Sequence, residues 1–97
     1  MITYGFQYDV KEDKRDEFLN ISNAALTAMQ TMKGHIMTKL LEDVNVKNSF
    51  MIYSEWETNE AFKTFMNSKE FKDVQTASRD MLTGRPRHKM YETKEMR

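Results

Sequence analysis

The first segment of the chain alternates strictly between apolar and polar side chains, and this alternation limits its possible folds more than any other feature. From Ile2 to Asp9 the even positions are apolar or aromatic, and the odd positions are small or polar. A period of two is typical of a β-strand with one buried face. The segment therefore predicts a strand whose side chains Tyr4, Phe6 and Tyr8 face a covering layer.

The next segment changes its period and predicts a helix over residues 12–32. Its apolar positions recur at steps of three and four, which places one stripe along a helix: Phe18, Ile21, Ala25, Met29 and Met32. Glu12 and Asp13 suit the positive end of the helix dipole, and Lys33 followed by Gly34 is typical of a helix end.

Two further strands are predicted over 35–43 and 49–56, and both carry bulky apolar residues on both sides. A strand of this kind is covered on both faces. If the even side of the first strand faces the helices, the opposite sheet face carries Met37, Leu41, Met51, Tyr53 and Tyr91. Because exposing such a patch to water is unfavourable, we expect a homodimer in which two sheets pack face to face.

The remainder of the chain predicts two short helices and a final strand. Thr58 and Ser68 stand where N-cap residues are expected, and the second of these helices carries apolar residues as far as Leu82. Thr83–Pro86 ends the helical region, and 87–93 alternates weakly as a strand does.

The order β-α-β-β-α-β predicts an α+β ferredoxin-like fold, the split βαβ arrangement. Its four-stranded antiparallel sheet has the helices on one face. A chain of 97 residues forms one domain, so we expect residues 1–97 to fold as a single unit.

Charge and cysteine content exclude several functional classes. The 15 basic side chains balance 15 acidic ones, so no net positive field favours nucleic acid or anionic lipid. An RNA-recognition module has the same strand order, but no basic, glycine-containing run precedes Phe50. No apolar stretch is long enough to span a membrane. The absence of cysteine suits a reducing compartment, so a cytoplasmic location is expected.

A set of short segments spread over residues 2–92 forms a recognisable pattern. They are Tyr8–Lys14, which precedes a helix start at Arg15–Phe18, and then Gly34, Ser54–Phe62, Asn67-Ser68 and Phe71. Together they resemble the antibiotic biosynthesis monooxygenase (ABM) superfamily of dimeric α/β-barrel domains. The most specific part is Glu55-Trp56-Glu57 leading into Glu60-Ala61-Phe62. Thr83–Arg87 is similar to the ends of the quinol-monooxygenase and autoinducer-processing branches.

The resemblance implies a homodimer with one small-molecule pocket per subunit, between the sheet and the helices. Members of the family oxidise phenols or quinols without a cofactor, degrade haem, or isomerise small carbonyl compounds. The first expectation is therefore a cofactor-independent monooxygenase that acts on a small aromatic or quinol-like substrate. The alternative is a non-catalytic dimeric module that binds or senses a small hydrophobic ligand. A third, less favoured expectation is haem binding through His35, His88 or a tyrosine.

The residues that carry chemistry in relatives are replaced here. Haem-degrading members use an Asn, a second Trp and a His ligand, and the matching positions appear as Phe6, Phe65 and Gln75. Quinol-oxidising and isomerase branches place histidines where Phe65 and Phe71 stand. The resemblance thus implies a pocket that is more apolar than in those branches and that requires no cofactor. The residues at the matched positions do not support haem.

Candidate pocket-lining residues come from the strands, the helices and the resemblance: Tyr4, Phe6, Tyr8, Phe18, Trp56, Phe65 and Gln75. The alternative interpretation is a filled core, in which Trp56 packs structurally. A phenolic or quinone ligand would supply hydrogen-bond partners for buried tyrosine hydroxyls.

His88 and Arg85 are the candidate catalytic residues. His88, with Arg85 and Arg87 nearby in the sequence, could hold an anionic substituent or a developing negative charge at the pocket rim. The alternative is a solvated basic turn before the last strand. His35 and His88 are the two histidines, and without a defined carboxylate spacing they predict no metal site.

Overall fold

The computed structural model describes residues 1–96, so the last residue of the predicted domain, Arg97, lies outside the described part. Its elements follow the predicted order, and their bounds are β1 Ile2–Asp9, α1 Arg15–Met29, β2 His35–Glu42, β3 Ser49–Trp56, α2 Asn59–Met66, α3 Lys69–Ser78 and β4 Arg87–Glu92. The four strands form one sheet in the order β2-β3-β1-β4, and every neighbouring pair is antiparallel. The predicted α+β ferredoxin-like fold is confirmed.

Strand β1 occupies the middle of the sheet and sets the register of its neighbours. Phe6 lies opposite Ile52 on β3 and opposite His88 on β4. The pairing of β2 with β3 shifts between His35 and Met37, where the strand contains an irregularity. Because β1 is central, the side chains on its helix-facing side are placed beneath both helical regions.

The first helix is shorter at both ends than the predicted span of 12–32. Residues Glu12–Lys14 form a 3₁₀ turn, and α1 begins only at Arg15. At the other end the amides of Thr31 and Met32 bond to carbonyls three residues earlier, which tightens the chain into a turn. Met32 therefore keeps its place beside the core without being helical.

The last helix also ends before its predicted limit. α3 stops at Ser78, and Arg79–Met81 continue as a 3₁₀ turn. Leu82 is extended and forms an isolated bridge with Val10, so it adds to the sheet region rather than to the helix.

Both predicted N-caps are present. The Thr58 hydroxyl accepts a hydrogen bond from the amide of Ala61 at 3.1 Å. The Ser68 hydroxyl does the same for Phe71 at 3.2 Å. These caps fix where α2 and α3 begin, and they hold the break between them in place.

The two faces of the sheet differ as the alternation predicts. The even residues of β1 are buried beneath the helices, together with Phe18 and Trp56, which are both fully buried. The opposite face carries the five predicted side chains: Met37, Met51 and Tyr53 are half-buried, and Leu41 and Tyr91 are exposed.

Within the described residues 1–96, no helix has the length and apolar character needed to cross a bilayer.

Candidate functional site

A small pocket lies between β1 and the helices. Its volume is about 20 Å³, which is room for a water-sized molecule. Its wall consists mainly of Tyr4, Phe6 and Tyr8 from β1, Met29 from α1, Ile52 and Ser54 from β3, Phe65 from α2, and Glu70, Phe71, Val74 and Gln75 from α3. The pocket is therefore almost filled by its own side chains.

Aromatic rings dominate the pocket wall. The Phe6 ring stacks on Tyr8 with centroids 4.6 Å apart, and Phe71 meets Phe6 edge-on at 6.0 Å. Phe71 also meets Phe65 edge-on at 5.0 Å. These rings contact one another and form a continuous apolar wall.

Two tyrosine hydroxyls bring hydrogen-bonding capacity to this apolar wall. The Tyr8 hydroxyl accepts a 2.7 Å hydrogen bond from the Gln75 side-chain amide. The Tyr4 hydroxyl is buried and has no hydrogen-bond partner among the described residues. Burial raises the pKa of both phenols well above the ordinary value, so both stay protonated at neutral pH. The pocket therefore holds a phenolic O–H that is free to donate.

Five of the seven predicted lining residues border this pocket: Tyr4, Phe6, Tyr8, Phe65 and Gln75. The other two lie behind its wall. Phe18 packs against Tyr8 with centroids 5.2 Å apart. Trp56 stacks on Phe65 at 4.8 Å and donates its indole N–H to Ser54 at 3.0 Å. Trp56 thus supports the pocket from outside, as in the structural interpretation.

Neither of the two predicted catalytic residues lines the pocket, and only His88 lies against its wall. His88, on β4, places its ring 5.9 Å from both Phe6 and Tyr4, and it lies nearly parallel to Phe6. His88 is exposed, which puts its imidazole at the rim. Arg85 lies in the loop before β4 and lines a separate depression.

Arg87 does not join His88 and Arg85. Its guanidinium forms an ion pair with Asp9 at 3.0 Å. Neighbouring strand residues point to opposite faces, so Arg87 and His88 cannot both reach the rim. The structure does not bring Arg85, Arg87 and His88 together: Arg87 is held by Asp9, and Arg85 lines a depression that His88 does not line.

The two histidines lie on opposite edge strands of the sheet. His35, on β2, has its ring 5.1 Å from Trp56 and is hydrogen-bonded to Thr38, and burial lowers its pKa. His88 is three strands away on β4, which separates the two backbones by at least about 14 Å at the usual strand spacing. They cannot share one ion, and residues 1–96 contain no cluster of three metal-ligating side chains.

Several lining residues were not identified from the sequence. Glu70 and Val74 are four positions apart, which places them on one side of α3, close to Phe71 and Gln75. That spacing could have indicated that Glu70 and Val74 share the pocket side of α3. In the sequence, however, Glu70 resembles the other charged residues of a solvated helix. Met29 was predicted as core, and it forms part of the pocket wall as well.

One family model matches most of this chain. Residues 1–77 match the family model described as antibiotic biosynthesis monooxygenase. SnoaB from Streptomyces nogalater, a cofactor-independent oxygenase, superposes with a TM-score of 0.84 over 98% of this chain and 94% of its own, at 19% identity. A conserved protein from Methanosarcina mazei Go1 superposes with a TM-score of 0.91 over 96% and 92% of the two chains, at 18% identity. At these identities the likeness establishes the fold alone.

A curated relative from Natronomonas pharaonis carries the name "Putative heme-binding protein". It is 33% identical over 86 residues, which are 89% of this chain but 14% of the relative. The chain thus spans less than a fifth of the length of the curated relatives it matches.

Proposed function

The chain belongs to the antibiotic biosynthesis monooxygenase family, and we propose that its pocket binds a small, flat aromatic molecule of the phenol, quinol or quinone type. The ligand would lie between the central strand β1 and the helix α3, where the small pocket is found. Aromatic rings would sandwich the ligand, and tyrosine hydroxyls would bond to its oxygen atoms.

The observation that carries this proposal is the Tyr4 hydroxyl. It is buried in the pocket wall without a partner, although a buried hydroxyl without a hydrogen bond costs about 1–3 kcal/mol. Because its raised pKa keeps the proton on the oxygen, the group is a donor that lacks an acceptor. A ligand oxygen at this place would satisfy it and would remove that cost.

Binding requires the pocket to widen. Its volume of about 20 Å³ is far below the roughly 300 Å³ or more of typical ligand sites. Phe71 and Gln75 are only half-buried, and both lie on α3, a helix of ten residues that begins after a break at Ser68. An outward shift of α3 would open the pocket without disturbing the sheet.

The proposed reaction is cofactor-independent monooxygenation of a quinol. One oxygen atom of O₂ enters a ring C–H bond as a hydroxyl, the quinol is oxidised to the quinone, and the second oxygen atom leaves as water. The four electrons that reduce O₂ come from the substrate, two through hydroxylation and two through quinol oxidation. The imidazole of His88 is the group at the rim that could take the phenolic proton and start this reaction.

Binding without turnover is the second candidate function. The base nominated for catalysis, His88, is exposed at the rim, and the one carboxylate of the pocket wall, Glu70, is exposed as well. The other polar groups of the wall are Ser54, Gln75 and two protonated tyrosines. A wall without a buried base can hold a ligand without removing its proton. Oxygen consumption therefore separates the two candidates.

The pocket residues do not fit a haem. Haem iron is bound by histidine, thiolate, methionine or tyrosine in a cavity that contains the whole macrocycle. Here both tyrosines are protonated, Met29 is packed within the core, and neither His35 nor His88 lines the pocket. The heme-binding name of the relatives is therefore not carried over to this chain.

We also propose that the protein is a homodimer joined through the outer face of the sheet. Leu41 and Tyr91 expose 41% and 55% of their surface there, beside Met37, Met51 and Tyr53. A second sheet packed on this face would bury all five.

Two assays test the proposal. Calorimetry with 2-naphthol measures binding to the pocket, and an oxygen electrode measures oxygen uptake with a panel of quinols. We expect calorimetric binding of 2-naphthol to the wild type and about tenfold weaker binding to Tyr4→Phe, because one hydrogen bond is lost. His88→Ala should bind as the wild type does and should lose oxygen uptake. Lys63→Ala, an exposed change on α2, is the control for both assays. Absence of 2-naphthol binding would overturn the pocket proposal. Oxygen uptake equal to that of the buffer blank would rule out the monooxygenase reaction, and binding would then be the remaining candidate function.

A further inference from the structure

A second depression adjoins the aromatic pocket at the end of α3. Its volume is about 350 Å³, and its wall includes Ser78, Arg79, Leu82, Arg85 and Pro86. Gln75 lines both this depression and the aromatic pocket, so one side chain separates the two spaces.

The two arginines of this depression are free of internal partners. Arg79 and Arg85 are exposed, and within residues 1–96 neither forms an ion pair or a side-chain hydrogen bond. In contrast, Arg15 is paired with Glu42 and Arg87 with Asp9. Two unpaired guanidiniums on one concave surface are suited to a carboxylate, which each can bind through charge-assisted hydrogen bonds.

The charged side chains that line the two spaces differ in sign, with Glu70 in the wall of the pocket and Arg79 and Arg85 in the wall of the depression. Glu70 lies at the pocket end nearest the start of the helix, and Gln75 lies about 7.5 Å further along its axis. Arg79 follows directly after the helix. An anionic substituent is repelled at the Glu70 end and attracted at the Arg79 end, so it would point past Gln75 into the depression.

We propose that the depression lined by Arg79 and Arg85 is an anion subsite of the aromatic pocket, and that the ligand is an aromatic carboxylate. The ring lies between the phenylalanines, and the carboxylate passes Gln75 to reach the two guanidiniums. This inference rests on the proposed function, because the ring must occupy the Tyr4 pocket for the carboxylate to reach the arginines.

Two matched probes test it by calorimetry: 2-naphthol and 6-hydroxy-2-naphthoic acid, which differ by one carboxylate. In low salt the wild type should bind the acid about tenfold more tightly than the naphthol. The double variant Arg79→Gln, Arg85→Gln should lose this preference and keep its affinity for 2-naphthol. Lys72→Gln removes one exposed positive charge from α3 and should keep most of the preference.

The outcomes distinguish the two proposals. Equal affinity for both probes, or a preference that survives in the double variant, would overturn the anion subsite and leave the aromatic pocket standing. Binding of neither probe would overturn the proposed function and the subsite with it. Loss of the acid preference at about 0.5 M salt in the wild type, with naphthol binding unchanged, would support the subsite.

Discussion

The side-chain amide of Gln75 donates a 2.7 Å hydrogen bond to the hydroxyl of Tyr8 and so links α3 to the central strand β1. The two residues are 67 positions apart in the chain. This bond closes one side of the aromatic pocket and leaves the Tyr8 proton free to donate. It is also the contact that separates the pocket from the arginine-lined depression.

A double-mutant cycle should measure this bond. Gln75→Leu and Tyr8→Phe should each lower the free energy of unfolding by about 1 kcal/mol, because the first leaves the buried Tyr8 hydroxyl without its partner and the second leaves the half-buried Gln75 amide without its partner. The double variant should lose less than the sum of the two, which urea denaturation followed by Trp56 fluorescence will show. Strictly additive effects would mean that the bond contributes nothing.

Tyr4→Phe should affect stability in the opposite sense to Tyr8→Phe. The Tyr4 hydroxyl is buried without a partner, so its removal should raise the free energy of unfolding by about 1 kcal/mol. The ring stays in contact with Phe62, 4.8 Å away, so the packing is preserved. A clear loss of stability in Tyr4→Phe would show that the hydroxyl has an internal partner.

Gly34→Ala should destabilise the fold strongly. Gly34 has φ of +83°, and an added Cβ would lie 2.5 Å from the Cβ of Ala61. Backbone strain and this overlap together should cost about 2 kcal/mol or more in urea denaturation. Gly84→Ala is the control, because no atom lies within 4 Å of its added Cβ, and it should change stability little. Similar losses in both variants would contradict the prediction.

Stability should fall in acid through the Glu42 carboxylate. Three hydrogen bonds hold it, two from the Arg15 guanidinium and one from the amide of Asn48 at 2.9 Å, and they lower its pKa from 4.5 to about 2. A carboxylate whose pKa is lower in the folded state stabilises the fold above about pH 4.5 and loses that effect as the pH falls towards 2. The urea midpoints of wild type and Glu42→Gln should therefore differ at pH 7 and converge near pH 2.

The control for this acid dependence is Glu12→Gln. Glu12 pairs with Lys47 at 3.7 Å, and both side chains are more than 70% exposed. Exposed pairs contribute little to stability, so this variant should follow the wild type at every pH. A midpoint difference for Glu42→Gln that stays constant down to pH 2 would exclude the carboxylate as the cause.

The proposed homodimer should dissociate when charge is placed on the outer sheet face. Leu41→Lys combined with Tyr91→Lys should give the mass of one 11.6 kDa chain in sedimentation, whereas the wild type should give twice that mass. Val44→Lys with Val46→Lys changes two exposed residues of the β2–β3 loop and should leave the mass unchanged. A wild type that sediments as a single chain at micromolar concentration would refute the dimer.

The sequence predicted the strands well because their periodicity is local. The alternation of β1 depends on Tyr4, Phe6 and Tyr8, and all three are buried as expected. The ends of the helices were less predictable. The apolar stripe continues to Met32, but the helix ends at Met29 and the backbone then turns. A longer helix and the observed turn would both keep Met32 beside the core. Side-chain pattern alone does not distinguish them.

The candidate site was predicted only in part, because pockets depend on contacts between distant segments. Tyr8 and Gln75 both appeared among the candidates, but their hydrogen bond could not be derived from positions 67 residues apart. Arg87 was misplaced because the weak alternation of β4 did not show which parity faces the helices. The depression beside Arg79 was missed, since an arginine on a charged helix looks like ordinary solvated surface.

The protonated state of Tyr4 has a consequence for the release of products. The protonated Tyr4 hydroxyl can form one hydrogen bond with either form of the ligand: with a quinone carbonyl no proton is left over, whereas with a quinol hydroxyl one of the two O–H groups is left without an acceptor. An oxidised product would therefore be retained at least as firmly as its precursor. In a domain that turns its substrate over, departure of the quinone past α3, rather than the reaction with oxygen, would then limit the rate.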